Sequence, residues 1–257
     1  MSRNIDLWQA SIMGRLESIG RGYANGVSLG FLDRSGCTLT QNVRSVLSAF
    51  NPNLSEDDLD ATLRDALMIV DRASAEDGSR SRHASERWDV GELTGLLLAS
   101  VVLIRRPEVI VEVGVANGTS TRILLAAMNS IGSGQLHSFD IDARCAHVVG
   151  PALAGRWQFT LLPRKRTQAL NQLGAQVGHV GPIDLWFSDA DHTFAWQKLE
   201  WQLAMKSLTA SGLLVADDID ATPAWPMATG GSGTVALIDG RKVTGITSVE
   251  QIVDKSA

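Results

Sequence analysis

The chain has 257 residues, 44% of them hydrophobic and 20% charged, enough apolar material for a sizeable core and too much for a disordered polymer. Its formal charge is −5 and its one basic cluster, Arg164-Lys165-Arg166, is short, so a general phosphate-backbone binder is excluded as the default. The longest apolar stretch, Leu93 to Ile104, is interrupted by Thr94, Gly95 and Ser100 and falls short of the roughly 20 residues a membrane helix needs.

No apolar run of signal-peptide length opens the chain, and Cys37 and Cys145 make no metal-type spacing. The expectation is a cytoplasmic protein with free thiols and with neither nucleic acid nor membrane as partner. Ile5 to Ile19 carries apolar residues at helical spacing, and the glycines from Gly20 to Gly36 then interrupt it. Ser55 offers an N-cap before Glu56, Asp57 and Asp58, and Leu59, Leu63, Leu67 and Val70 continue one helical face. Asp77 to Arg82 reads as a polar loop, Gly91 to Ile104 as a mostly buried helix, and Pro107 ends it. Residues 1–90 therefore read as a helical extension, a cap or a dimer interface, and residues 91–257 as the main domain.

From residue 107 the pattern changes to strand and helix in alternation. Strands are predicted at Val109–Val115, Gln135–Ile141, Trp157–Leu162, Ile183–Asp189 and Leu213–Asp217. Helices are predicted between them, at Thr119–Ser130, Ala143–Leu153, Thr167–Val177 and Ala195–Leu208. Apolar strands separated by helices give a parallel sheet covered on both faces, hence an α/β, doubly wound, Rossmann-like fold. Thr234–Ile238 and Val243–Thr247, joined through Asp239-Gly240, predict an antiparallel C-terminal hairpin. The Pro- and Gly-rich stretch before it is poor helix material.

Ligands of such sheets bind beyond the carboxyl ends of the strands. The first strand runs into Gly114-Val-Ala-Asn-Gly118-Thr119, a turn that admits a ligand but lacks the Gly-x-Gly-x-x-Gly spacing of dinucleotide sites. Asp140, at the end of the second strand, suits a ribose. Two further strands run into Asp189-Ala-Asp191-His192 and Asp217-Asp218. Carboxylates gathered on one rim repel unless something cationic joins them, and an oxygen-ligated Mg²⁺ meets that requirement. The plain alternative is that each acid caps a helix or sits in water. His192, next to these acids, is the candidate base, whereas the other four histidines read as structural or solvated.

With these motifs the sequence resembles the class I S-adenosylmethionine-dependent methyltransferases over about residues 90–220. More narrowly it resembles the metal-dependent small-molecule O-methyltransferases of the catechol and macrolide-sugar types. The resemblance rests on Glu112-Val-Gly114 with Gly118, Asp140, Asp189-Ala-Asp191-His192, Ser211-Gly212 and Asp217-Asp218. It implies that the methionine of the cofactor lies along Glu112–Gly118 up to Thr119, that Asp140 holds the ribose, and that Thr167 and Gln168 contact the adenine. It further implies that Asp189, Asp217 and Asp218 bind Mg²⁺ or a similar divalent ion, and that His192 is the general base, as in the sugar branch. The expected reaction is methyl transfer to a hydroxyl of a small-molecule acceptor, with homo-oligomerisation through the N-terminal region an open option. The competing readings are a metal-independent N- or C-methyltransferase on the same fold, a nicotinamide oxidoreductase and a non-catalytic nucleoside-binding module. Seven tryptophans against one tyrosine have no explanation at this level.

Overall fold

Strand β2 (Val109–Val113) occupies the middle of a twisted sheet in which helices cover both faces. A computed structural model describes residues 32, 37–77, 84, 89–230, 233–240 and 242–250. The helix expected over residues 5–19 lies outside the described residues, as does most of the expected loop after Asp77. The remaining strands are β1 (Thr38–Thr40), β3 (Gln135–Asp140), β4 (Trp157–Leu161), β5 (Ile183–Ser188), β6 (Leu208–Ala216), β7 (Val235–Asp239) and β8 (Lys242–Ser248). Their spatial order is β1-β7-β8-β6-β5-β2-β3-β4, and among these described strands only β8 runs against its neighbours. The mostly parallel α/β fold with a C-terminal antiparallel hairpin is the one expected from the sequence.

Alternation within each strand sends apolar side chains to both layers. Ile110, Leu185, Phe187, Leu213 and Val215 face α2 (Glu56–Asp77), α3 (Glu92–Arg105) and α4 (Thr119–Ile131). Val111, Trp186 and Leu214 face α5 (Arg166–Val180) and α6 (Phe194–Ser207) in the other layer. Ser55 caps α2, its Oγ accepting the Asp58 N–H at 3.1 Å, while Glu56, Asp57 and Asp58 lie at the positive end of the helix dipole.

Four local features differ from the sequence expectation. Residues 38–50 add an edge strand, β1, parallel to β7, and a helix, α1 (Val43–Phe50), whose Val46, Leu47 and Phe50 enter the main core. Packing therefore continues across residue 90, since α2 shares one core with α3 and α4. The helix expected at Ala143–Leu153 is a 3₁₀ turn over Ala143–His147, because Gly150-Pro151 cannot extend it. Strand β6 begins at Leu208 rather than Leu213, with a register irregularity against β5. The stretch that reads as poor helix material forms a six-residue helix, α7 (Ala224–Thr229), whose first turn tolerates Pro226 and which Gly230 ends at φ 75°.

Four of the seven tryptophans pack together in the layer of α5 and α6. Glu200, fully buried, accepts the indole N–H of Trp186 at 3.1 Å and that of Trp196, while Trp201 donates to Ser188 Oγ at 3.0 Å. Trp201 meets Trp225 edge to face at 5.4 Å, and Gly245 leaves the room that the Trp225 ring occupies. Burial pushes the Glu200 carboxyl up to about 7, against the donors that favour its charge.

Candidate active site

The ends of β2, β5 and β6 lie in register: Val113 pairs with Ser188, and Ser188 with Ala216. The ladder continues one step further, the Asp189 N–H donating to Val113 O at 2.9 Å and the Asp217 N–H to Ser188 O at 2.8 Å. Gly114, Asp189 and Asp217 therefore stand side by side on one rim, at the place where the crossovers change direction. A cavity of about 770 Å³ opens there, within the size range of small-molecule and cofactor sites. Gly114, Asp140, Asp189, His192, Trp196 and Asp218 are among the residues of its wall.

Glycine at 114 is obligatory. Its φ is 94°, and a Cβ there would lie 2.0 Å from the carbonyl oxygen of Asp189. Ala116 and Asp218, also on the wall, adopt left-handed backbone conformations at φ 47° and 50°, each costing about 1–3 kcal/mol. Asp140 ties this loop down: its Oδ2 accepts the N–H groups of Val115 at 2.8 Å and Ala116 at 3.3 Å, and its Oδ1 accepts that of Asp142 at 2.8 Å. The Cys145 thiol also hydrogen-bonds this carboxylate, so most of its roughly four acceptor positions serve the protein.

The other expected cofactor residues lie elsewhere. Glu112 is fully buried behind the loop and does not reach the cavity. Its carboxylate accepts the hydroxyls of Ser120 (2.7 Å), Thr121 (2.8 Å) and Ser138 (2.6 Å), binding strand, helix and neighbouring strand together. Burial pushes its carboxyl up to about 7 despite these donors. Gly118, at φ 79°, begins α4 against Val148, and Thr119 borders a second, much smaller polar pocket beside Gly114. Thr167 and Gln168 are exposed on the first turn of α5, where the cavity wall is formed by Arg166 and Ala169 instead. Sequence reasoning missed Asp89. Its Oδ2 accepts from Asn117 Nδ2 at 3.2 Å, while its Oδ1 is buried without a partner among the described residues, in that small pocket beside Gly114, Ser120 and Asp189.

The acidic rim does converge, but it holds its own basic partners. Lys242, at the start of β8, places Nζ 2.7 Å from Asp217 Oδ2 and 3.7 Å from Asp189 Oδ2. Asp217 Oδ1 accepts the Thr244 hydroxyl at 2.7 Å, and the Asp217 side chain has no exposed surface. His192 sits between the other pair, Nε2 3.3 Å from Asp189 Oδ1 and Nδ1 3.2 Å from Asp218 Oδ2. Burial, then the like charge of Asp217, raises the Asp189 carboxyl above its ordinary range, and the same two causes raise Asp218. The His192 ring is raised by its hydrogen bond to Asp189, with burial opposing. Burial works against the Lys242 ammonium, yet Asp217 and Asp189 outweigh it and strengthen its hold on the proton.

The expected metal-ligand set, Asp189, Asp217 and Asp218, is thus not assembled. Asp217 is spent on Lys242 and Thr244, and among the described residues the group whose ligand atoms lie within 4.8 Å of one another is Asp189, His192 and Asp218. In that group the imidazole already stands between the two carboxylates, and Mg²⁺ prefers oxygen donors. The donors present do not fit the ion that the resemblance implied.

Residues 111–219 match the family described as methyltransferase domain. No curated protein sequence matches the chain. Among solved structures, the cofactor-bound Rv0187 from MTB is 16% identical and superposes with a TM-score of 0.53, covering 82% of this chain and 99% of its own. The SAH-bound Podospora anserina methyltransferase PaMTH1 is 15% identical with a TM-score of 0.51, covering 76% of this chain and 97% of its own. Both likenesses are of fold. Residues 111–219, which carry the glycine turn, Asp140 and the acidic rim, are thus similar to the methyltransferase domain family, on a fold shared with these two structures.

Proposed function

We propose that the protein transfers a methyl group from S-adenosylmethionine to a hydroxyl of a small molecule, with His192 as general base. The observation that carries this reading is His192 fixed between Asp189 and Asp218 on the wall of the same cavity as Gly114 and Asp140. The chain's residues suit the cofactor: Gly114 leaves room for close approach, Asp140 stands at the cavity wall where a ribose would lie, and Asp89 Oδ1, buried without a partner among the described residues, is an acceptor for the methionine ammonium. When bound, S-adenosylmethionine supplies a methyl group on a sulfonium sulfur, which leaves as a neutral thioether.

The protein's task is then alignment and proton removal. Asp189 is the more buried of the two carboxylates, so its contact with Nε2 orients the ring. Nδ1, turned towards the more open Asp218, takes the proton of an acceptor hydroxyl that enters between them. Trp196, held by Glu200, gives the cavity a rigid apolar wall for the acceptor.

Calorimetry with S-adenosylhomocysteine and turnover on a panel of phenolic and sugar hydroxyls, read by release of that product, test the reading. His192→Ala keeps product binding and loses about 10²–10⁴-fold in turnover. Absence of S-adenosylhomocysteine binding, or displacement of it by NAD, overturns the proposal.

A further inference from the structure

We infer that the methyl transfer runs without a divalent ion, because the Lys242 ammonium supplies the standing positive charge of the acidic rim and the His192 ring bridges the remaining pair of carboxylates. The inference rests on the function proposed above. Three carboxylates meet here, and each touches a basic side chain of the protein itself. Lys242 spans Asp217 and Asp189, and His192 spans Asp189 and Asp218.

An ion coordinated by Asp189 and Asp217 at about 2.0–2.6 Å would lie within roughly 5 Å of the Lys242 ammonium. It would also have to strip Thr244 or Lys242 from a carboxylate that is closed to solvent and absent from the cavity wall. An ion held by Asp189 and Asp218 would take the His192 nitrogen between them as a further ligand and so occupy the lone pair that the base needs. Ion and base exclude each other in this site. Lys242 reaches the rim because β8 runs antiparallel to β6: its first residue lies at the end where β6 delivers Asp217. The β7–β8 hairpin is thereby part of the active site, with Lys242 a positioning residue that fixes Asp217 and Asp189 and leaves His192 free to act.

Mn²⁺ titration followed by the electron paramagnetic resonance of the free ion tests this on the wild-type protein without cofactor. The expected result is no more Mn²⁺ bound than by an Asp189→Asn/Asp218→Asn control, and no loss of turnover after EDTA treatment. Stoichiometric Mn²⁺ uptake that the control lacks, or loss of turnover to EDTA with recovery on adding Mg²⁺, overturns the inference. Lys242→Gln, folded by circular dichroism, takes up Mn²⁺ at the vacated carboxylates, whereas Lys242→Arg does not. A folded Lys242→Gln protein that still takes up none shows that the ammonium is not what keeps the ion out. The wild-type arms decide the matter if neither variant folds. Failure of S-adenosylhomocysteine to bind would sink the methyltransfer reading alone, since the Mn²⁺ measurement involves no cofactor.

Discussion

Replacing Glu112 with glutamine isolates the electrostatic cost of the anchor beneath the glycine turn. In the folded protein burial raises this carboxyl from 4.5 to about 7, even with three hydroxyls donating to it. At about 1.4 kcal/mol per unit, that gap amounts to roughly 3 kcal/mol of stability. The folded state binds the proton more tightly than the unfolded state. The contribution of Glu112 is therefore full below its unfolded value and is lost as pH rises through about 7. The side-chain amide of the Glu112→Gln protein would stay neutral throughout while still offering an oxygen to the hydroxyls, so its own contribution is flat. Urea denaturation of both proteins at about pH 4 and about pH 8 measures the effect. The stability of wild type relative to Glu112→Gln should fall by about 3 kcal/mol across that interval. Glu200 titrates over a similar range in both proteins and cancels. Parallel curves, with the difference constant to within about 1 kcal/mol, would refute the assignment of a buried, proton-hungry carboxyl at this position.

Asp217→Asn should cost about 3–5 kcal/mol by urea denaturation, since it leaves the Lys242 ammonium without its closest counter-charge in a buried setting; a cost under about 1 kcal/mol would mean that solvent weakens the pair. Gly114→Ala should abolish S-adenosylhomocysteine binding by calorimetry, because the added carbon meets the Asp189 carbonyl at 2.0 Å in a backbone conformation alanine avoids. Undiminished binding would show that the loop has room to spare.

Much of the architecture was legible because central strands carry short apolar runs, Val109–Val111, Leu185–Phe187 and Leu213–Ala216, that lead on to glycine or acid, a pattern that suits a sheet buried on both faces. The three-residue β1 left no such trace. The helix expected after Asp142 runs into Gly150-Pro151, which the apolar spacing alone does not register, and Pro223 and Pro226 concealed that one short helix can begin at a proline. In the site, the acids at the ends of β5 and β6 were visible, and so was their need for a neighbouring cation. The source of that cation was not, because Lys242 reaches them through the antiparallel return of a hairpin, 25 residues after Asp217. Glu112 occupies a position that usually suggests a ligand contact, yet its role became clear only once Ser120, Thr121 and Ser138 were seen around it. Asp89 carries no motif at all and is identified by its orphaned oxygen.

The strand at Thr38–Thr40 bears on how the molecule behaves in company. It covers the outer flank of β7, so among the described residues this edge of the sheet, opposite the one formed by β4, is three residues long and partly exposed. So brief a border offers few free amide and carbonyl groups for a stranger's chain to zip onto, a means by which sheet proteins stay dispersed. Trimming the protein back beyond Thr40 would bare the longer, largely apolar β7 in its place, exchanging a guarded margin for a sticky one.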